Sequence, residues 1–372
     1  MVPFAGFEMP VQYAGVAVEH AAVRERVGLF DITHMGEIHV RGGGAEAWLD
    51  GLAANRIAGT TPGRIVYTAM CASDGGVIDD MLIYRLAEAH WLVVCNAANR
   101  GAVTDWLAEH ARGAADVELD DASDRTAMIA VQGPSSPELL ARLEALADEG
   151  DRTSALDFYG ACVLSRADGD WIVSRTGYTG ERGYELYVPW DAARPLWEEL
   201  LDRGNDLGVA PIGLAARDTL RFEMGYSLYG HELSRDWTPL EAGIGWSVRL
   251  KNRDFIGADA LRAQKRDGVP RRIAGLEVRG ETAAGRTRPA PIARQETPVY
   301  AADRKVGFVT SGTKSPTLNR SLALALLDTD RDETELAVEI RGKRYPAAAT
   351  SVPFLAPRVK GDPRAERGRP NP

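Results

Sequence analysis

The stretch from Gly63 to Tyr84, GRIVYTAMCASDGGVIDDMLIY, constrains the fold of this chain more than any other part of it. Ile65–Met70 is short, apolar and rich in β-branched residues, and the SDGG that follows has the composition of a hairpin turn. The apolar pattern then resumes over Val77–Tyr84. The chain is therefore predicted to be built around a β-hairpin.

Two aspartates, Asp79 and Asp80, interrupt the second strand of this hairpin. Because side chains alternate along a strand, the two carboxylates must lie on opposite faces. A carboxylate on a packed face is costly unless it accepts hydrogen bonds or lines a cavity. Two interpretations stay open. The hairpin is an edge strand whose acids are solvated or cap the turn, or one aspartate points into a ligand cavity.

Composition excludes several classes of protein. The chain has 372 residues, of which 45% are hydrophobic and 26% charged, which is typical of a globular enzyme with two or three domains. The net charge of −9 and the lack of a long basic block argue against binding to nucleic acid or to an anionic membrane.

Cysteine and histidine usage argues against a metal site. Cys71, Cys95 and Cys162 form no CxxC motif, and the histidines have no metal-ligand spacing. The sequence also has no secretory signal pattern and no apolar run of membrane-spanning length. We therefore expect a cytoplasmic protein without a metal ion.

Several polar residues admit both a structural and a functional interpretation. Asn96 and Asn99 precede a predicted helix, where asparagine is a good N-cap. Glu185 lies in a predicted strand, and a lone glutamate there usually faces solvent. Arg217 and Arg221 share one face of a predicted helix, either as a solvated surface or as a site for an anionic ligand.

The pattern changes in the last third of the chain. Trp246 is predicted in a short strand, Gly245–Arg249, and the charged Arg262–Arg272 is interpreted as a linker. Short strands separated by turns then predict a small all-β domain, a barrel or short sandwich. The last residues, 358–372, are almost without apolar side chains and are expected to be disordered.

Segments along nearly the whole chain resemble the aminomethyltransferase family, the T-proteins of the glycine cleavage system. Besides the hairpin stretch, the resemblance rests on FAGFEMPVQY, LFDITHMGEI, VVCNAANR, SRTGYTGERGYEL, GLAARDTLRFEMGYSLYGHEL and TPLEAGIGW, in family order. It implies an α+β cloverleaf. Two intertwined α+β domains, one of them ferredoxin-like, occupy residues 1–265, a C-terminal β-barrel occupies 272–357, and 358–372 form a tail.

The resemblance also implies an activity. The family moves an aminomethyl group from the dihydrolipoyl arm of H-protein to tetrahydrofolate, releasing ammonia and forming 5,10-methylenetetrahydrofolate. Tetrahydrofolate is then a co-substrate, H-protein is the protein partner, no metal is needed, and we expect a monomer. An alternative is a folate-dependent S- or O-demethylase of the same fold, which would share the folate site.

The family pattern assigns roles to individual residues. Asp80 falls on the catalytic carboxylate, with Asp79 behind it, and Glu185 falls on the residue that binds the pterin. The remaining expected folate contacts are Met35, Tyr67, Trp91, Asn96, Arg217, Trp246 and Arg272. The chain departs from the usual family form at Met224 and Tyr226, where smaller or less aromatic residues are more common. Family members also usually begin with an additional helical segment.

Overall fold

The structure is a computed structural model that describes residues 1–280, 282–283, 286–287, 289–330 and 335–359. Its strands, β1 to β21 in chain order, span Val2–Phe4, Phe7–Met9, Val27–Asp31, Gly36–Arg41, Ile65–Cys71, Val77–Ala87, His90–Cys95, Glu118–Asp121, Thr126–Gln132, Ala161–Arg166, Gly169–Ser174, Gly183–Pro189, Val209–Pro211, Arg271–Val278, Thr282–Ala283, Arg286–Thr287, Pro298–Ala301, Arg304–Lys314, Ser321–Asp328, Leu336–Ile340 and Lys343–Thr350.

Its α-helices, α1 to α8, span Val16–Glu25, Ala45–Leu52, Arg100–Ala111, Ser136–Ala141, Gly150–Ser154, Ala193–Arg203, Leu214–Glu223 and Ala258–Asp267. Short 3₁₀ helices span Ala97–Asn99, Glu144–Glu149, Trp190–Ala192 and Gly245–Ser247. No helix in the described part of the chain is long and apolar enough to cross a membrane.

Two sheets form the first two thirds of the protein. One has five strands in the order β5-β6-β7-β4-β8, and the other has six in the order β10-β11-β12-β9-β3-β13. The chain leaves the six-stranded sheet after β3, builds the five-stranded sheet, and returns at β9, so the two units are intertwined. A closed barrel of six strands, β14-β19-β18-β17-β20-β21, follows. The α+β fold with a C-terminal barrel is thus confirmed.

The predicted hairpin is present and longer than expected. Strands β5 and β6 pair antiparallel, with Tyr67 opposite Leu82 and Ala69 opposite Asp80. Strand β6 also pairs with β7, so it lies inside the sheet, and the interpretation of its aspartates as edge-strand residues is wrong. The two sheets pack face to face over an apolar core that includes Tyr84 and Val94.

Two local predictions are wrong for identifiable reasons. Trp246 lies in the 3₁₀ turn Gly245–Ser247 and not in a strand. The supposed linker is occupied mostly by α8 and by the start of β14. Its charges form the solvent side of an amphipathic helix that buries Ala258 and Leu261.

A buried ionic cluster joins the barrel to the rest of the protein. Glu223, at the end of α7, is completely buried. Its carboxylate accepts hydrogen bonds from Arg24 of α1 at 2.8 Å, from the Ser315 hydroxyl at 2.5 Å and from the Thr317 backbone N–H at 3.1 Å. His20 Nε2 lies 3.2 Å from the same carboxylate. Segments far apart in sequence therefore meet on one side chain.

The same cluster extends to the end of the described chain. Arg24 also pairs with Glu181 at 2.9 Å, and Arg358 donates to Glu181 at 2.6 Å. Arg358 was assigned to the tail by sequence, but in the structure it lies against α1 and the 179–181 loop. Residues 360–372 of the expected tail lie outside the described residues.

This cluster predicts a specific loss of stability in acid. Burial by itself raises the pKa of Glu223, but hydrogen bonds from His20 and Ser315 and the charge of Arg24 outweigh burial and lower the pKa to about 2. A carboxyl whose pKa falls on folding stabilises the protein above its unfolded pKa, and this stabilisation is lost as the pH drops through the folded value. Above pH ~5 we expect the free energy of unfolding of the wild type to be about 2–3 kcal/mol larger than that of Glu223→Gln.

The measurement is urea unfolding of both proteins across the acid range. The difference between them should shrink as the pH falls from about 4.5 towards 2, because Glu223 then becomes protonated in the folded state. Glu198→Gln is the control, since Glu198 pairs with Arg194 on the exposed surface of α6. A difference for Glu223→Gln that stayed constant with pH would contradict the assignment.

Candidate functional site

A cavity of about 1,060 Å³ lies where the two sheets meet α7 and the barrel. The five-stranded sheet contributes Tyr67 and Asp80, the six-stranded sheet Glu185, α7 Arg217, and the barrel Ile273. Of the residues expected from sequence, the cavity brings together Met35, Tyr67, Asp80, Asn96, Glu185, Arg217 and Trp246.

Asp80 faces this cavity and is held from two sides. Tyr67 and Asp80 are diagonal neighbours on one face of the β5–β6 pair, and the Tyr67 hydroxyl donates to Asp80 Oδ2 at 2.9 Å. Asn96 Nδ2 donates to Oδ1 at 2.8 Å. Burial raises the pKa of Asp80, although these two hydrogen bonds oppose the shift. The carboxyl is therefore poised to exchange a proton nearer neutrality than a solvated aspartate.

Asp79 lies on the other face of β6 and is completely buried. Its carboxylate accepts three hydrogen bonds, from the Asn96 backbone N–H at 2.9 Å, from Asn96 Nδ2 at 2.8 Å and from Asn99 Nδ2 at 2.7 Å. Neither asparagine side chain caps its helix, so the capping interpretation is wrong. Burial and the neighbouring Asp80 raise the pKa of Asp79. Asp79 fixes Asn96, which in turn holds Asp80.

Aromatic rings form much of the cavity wall. Tyr67 and Trp246 stack with ring centroids 5.2 Å apart and planes 18° from parallel. Trp246 is 59% exposed, so this stack extends from the cavity wall to the surface. Deeper in, Tyr178 stacks on Tyr226 at 5.8 Å. Such surfaces suit a flat ring system.

The glycine-rich loop after β11 sets the position of Glu185. A Cβ on Gly177 would lie 2.0 Å from the Gln132 side chain, and one on Gly183 would lie 2.3 Å from it, so a larger residue at either position would displace the Gln132 amide. The Gln132 amide donates to the Thr176 carbonyl at 3.1 Å and fixes the start of the loop. The return strand then carries Glu185 into the cavity wall.

Glu185 is only 6% exposed, so the expectation that it faces solvent is wrong. The Thr176 hydroxyl donates to its Oε2, and no described residue donates to Oε1. Burial raises the pKa of Glu185, while the hydrogen bond from Thr176 and the charge of Arg217 oppose the shift. One carboxylate oxygen is thus available to a ligand with N–H donors.

The two arginines of α7 differ in their surroundings. Arg221 is buried and saturated by Glu232 at 2.7 Å, Asp218 at 2.7 Å and Ser311 at 2.9 Å, so its role is structural. Arg217 lines the cavity with its guanidinium 4.7 Å from the centre of the Tyr178 ring. Its guanidinium forms no hydrogen bond or ion pair with the residues that the structure describes.

Two expected contacts, Trp91 and Arg272, lie outside the cavity lining. Trp91 is completely buried on the other side of the five-stranded sheet, because alternation along β7 turns Val94 towards the cavity and Trp91 towards the helices. Arg272 is exposed on β14, and it is Ile273, the next residue, that reaches the cavity. Among the described residues, no three His, Cys, Asp or Glu side chains are grouped as metal ligands.

Sequence reasoning missed several cavity residues. Tyr178 lies in the glycine-rich loop between β11 and β12, and its ring lines the cavity. Met224 and Tyr226 also line the cavity. Both depart from the usual family form, which by itself does not indicate a place in the cavity.

The surroundings of the two aspartates predict that the same substitution, Asp to Asn, destabilises the protein by different amounts at the two positions. In Asp79→Asn the new amide NH₂ must face an N–H group that donates to the carboxylate in the wild type. A buried donor is then left unpaired, which should lower the free energy of unfolding by about 1–3 kcal/mol. In Asp80→Asn the Tyr67 hydroxyl can reverse and accept, so the unfolding free energy should change by less than about 1 kcal/mol. Urea unfolding at neutral pH tests both. Equal destabilisation would mean that Asp80 is structural too.

Comparison with known proteins agrees with this architecture. The GCVT N-terminal domain family matches residues 1–252, and the glycine cleavage T-protein C-terminal barrel domain family matches residues 271–355. Aminomethyltransferase of Anoxybacillus flavithermus is 44% identical over 95% of this chain and 94% of its own length. Aminomethyltransferase of Bacillus subtilis is 42% identical, with the same coverage of both chains.

A solved structure supports the same relationship. The glycine cleavage system aminomethyltransferase T of Bartonella henselae superposes with a TM-score of 0.84 and 32% identity, covering 96% of this chain and 94% of that one. Both regions of the fold and nearly the full length of the chain are therefore matched. The chain belongs to the aminomethyltransferase family, the T-proteins of the glycine cleavage system.

Proposed function

We propose that the protein transfers the aminomethyl group from the lipoyl arm of H-protein to tetrahydrofolate, releasing ammonia and forming 5,10-methylenetetrahydrofolate. The observation that carries the proposal is the pairing, in one aromatic-walled cavity, of two carboxylates with an unpaired guanidinium. Asp80 supplies the reacting carboxylate, and Glu185 and Arg217 are positioned for the folate. We also propose division of the chain at 1–265 and 272–357.

The cavity fits a folate in its chemistry as well as its volume. A pterin carries N–H donors along its aminopyrimidine edge, and Glu185 Oε1 is an acceptor on a buried side chain, without a partner among the described residues. Arg217 offers a cation beside Tyr178, and the Tyr67–Trp246 stack offers a flat apolar face. Met35 and Asn96 complete the expected contacts. Trp91 and Arg272 are not part of this proposed set, because neither side chain lines the cavity.

Asp80 is placed to act on the transfer itself. The two folate nitrogens replace both the nitrogen and the sulfur on the transferred carbon, so ammonia and the dihydrolipoyl thiol leave, and positive charge develops as the C–N and C–S bonds break. A fixed, partly desolvated carboxylate stabilises that charge and accepts a proton. Tyr67 and Asn96 hold both oxygens of Asp80 in place for this role.

The direct test is formation of methylenetetrahydrofolate from aminomethylated H-protein and tetrahydrofolate. The demethylase alternative predicts turnover with free S- or O-methyl compounds instead, and folate-dependent release of their methyl group would favour it.

The lipoyl arm is proposed to enter the cavity beside Trp246, which is exposed at the end of the aromatic stack. Cytoplasmic location and the monomeric state stay predictions of the sequence.

Asp80→Asn should abolish most turnover and leave tetrahydrofolate binding nearly unchanged. The amide is nearly isosteric but cannot take a proton or balance a positive charge, so single-turnover rates should fall about 100- to 10,000-fold. Asp74→Asn is the control, since Asp74 lies in the turn of the same hairpin and pairs with Arg235 at the surface. A normal rate for Asp80→Asn would remove the catalytic assignment.

Glu185→Gln should weaken tetrahydrofolate binding more than it slows the bound reaction. An amide nitrogen would face the pterin donors, and losing a charge-assisted hydrogen bond costs about 1.5–3 kcal/mol. Titration calorimetry with tetrahydrofolate gives the affinity, and rates at saturating folate give the reaction. Wild-type affinity in this variant would place the pterin elsewhere.

A further inference from the structure

A chain of buried hydroxyl groups leads away from Glu185 into the core between the two sheets. The Thr176 hydroxyl contacts Glu185 Oε2 and lies 2.6 Å from the Ser174 hydroxyl. Tyr84 OH lies 3.4 Å from Ser174 Oγ and 3.5 Å from Thr176 Oγ1, and Tyr187 OH lies 2.6 Å from Tyr84 OH. The chain therefore joins a cavity carboxylate to a tyrosine that does not line that cavity.

The fold places these groups in register. Glu185 and Tyr187 are two residues apart on β12 and so share a face. Ser174 is opposite Glu185 on β11, and Tyr84 comes from β6 in the other sheet. All five side chains are buried. In an apolar core, hydroxyl groups persist only where they are hydrogen-bonded to one another.

The number of protons on these groups fixes the direction of the hydrogen bonds that join the hydroxyl groups. An ionised carboxylate only accepts, so Thr176 must donate to Glu185. A hydroxyl has one proton, so Thr176 can then only accept from its neighbour, and the same holds in turn for Ser174 and Tyr84. With these directions the O–H groups from Tyr187 onward point towards Glu185, whose backbone carbonyl oxygen also lies 3.4 Å from Ser174 Oγ. Aligned donors of this kind polarise and strengthen one another at low dielectric.

We propose that Thr176, Ser174, Tyr84 and Tyr187 are positioning residues for folate binding. They hold the Glu185 carboxylate ionised and fixed in one orientation, with Oε2 occupied and Oε1 presented to the pterin. This inference rests on the proposed folate site. It assigns an effect on folate affinity to Tyr187, which contributes nothing to the cavity wall.

The test compares tetrahydrofolate affinity by calorimetry in single and double variants of the full chain. Thr176→Val should weaken binding about 10-fold and Tyr187→Phe about threefold, with KM rising more than kcat falls, and Thr176→Ser should stay within about twofold of wild type. Tyr184→Phe is the control. Tyr184 is equally buried on the same strand but faces the other way.

The double variants separate positioning from a general structural effect. If the hydroxyl groups act through Glu185, adding Thr176→Val or Tyr187→Phe to Glu185→Gln should weaken binding by less than about twofold more. Additive losses, or an equal loss in Tyr184→Phe, would overturn the inference. The inference would also be overturned if Thr176→Val and Tyr187→Phe bound tetrahydrofolate with wild-type affinity while Glu185→Gln bound it weakly. Wild-type affinity in Glu185→Gln itself would instead reject the folate site, and with it the role assigned to the chain.

Discussion

The cost of burying a carboxylate governs how this protein is built. A charge removed from water must be met by donors, and the protein supplies different numbers of donors to its buried acids. Asp79 and Glu223 have hydrogen bonds to both of their oxygens from several directions. From the residues that the structure describes, Glu185 accepts a hydrogen bond at Oε2 alone, which leaves Oε1 for a ligand.

The saturated acids are placed where segments distant in sequence must meet. Glu223 gathers α1, α7 and the loop after β18, and so ties the barrel to the intertwined sheets. Asp79 fixes the turn that follows β7, and through Asn96 it reaches the cavity. The large cavity lies between these anchor points, and its walls come from both sheets, α7 and the barrel. Its geometry therefore depends on tertiary contacts and not on any single element.

Much of the fold was predictable because it follows from local patterns. The central hairpin and the small all-β domain are both present, since alternation and turn chemistry act over a few residues. The sequence could not reveal which side of a strand faces a cavity. Trp91 and Arg272 show this, because in each case a nearby apolar residue on the same strand reaches the cavity instead. The capping interpretation of Asn99 is wrong because its side-chain partner is Asp79 on β6, 20 residues away in sequence.

The buried arginines can be compared in the same way, by the acceptors that surround each guanidinium. Arg24 and Arg221 each donate hydrogen bonds to buried carboxylates and carbonyl groups, so their charges are compensated within the protein. Arg217 lies one helical turn from Arg221, and its guanidinium faces the Tyr178 ring and pairs with no carboxylate among the described residues. Burial lowers the pKa of Arg217, whereas Tyr178 and Glu185 act in the opposite direction. A desolvated guanidinium near an unsaturated carboxylate makes the cavity complementary to a ligand that carries both N–H donors and acceptor or anionic groups.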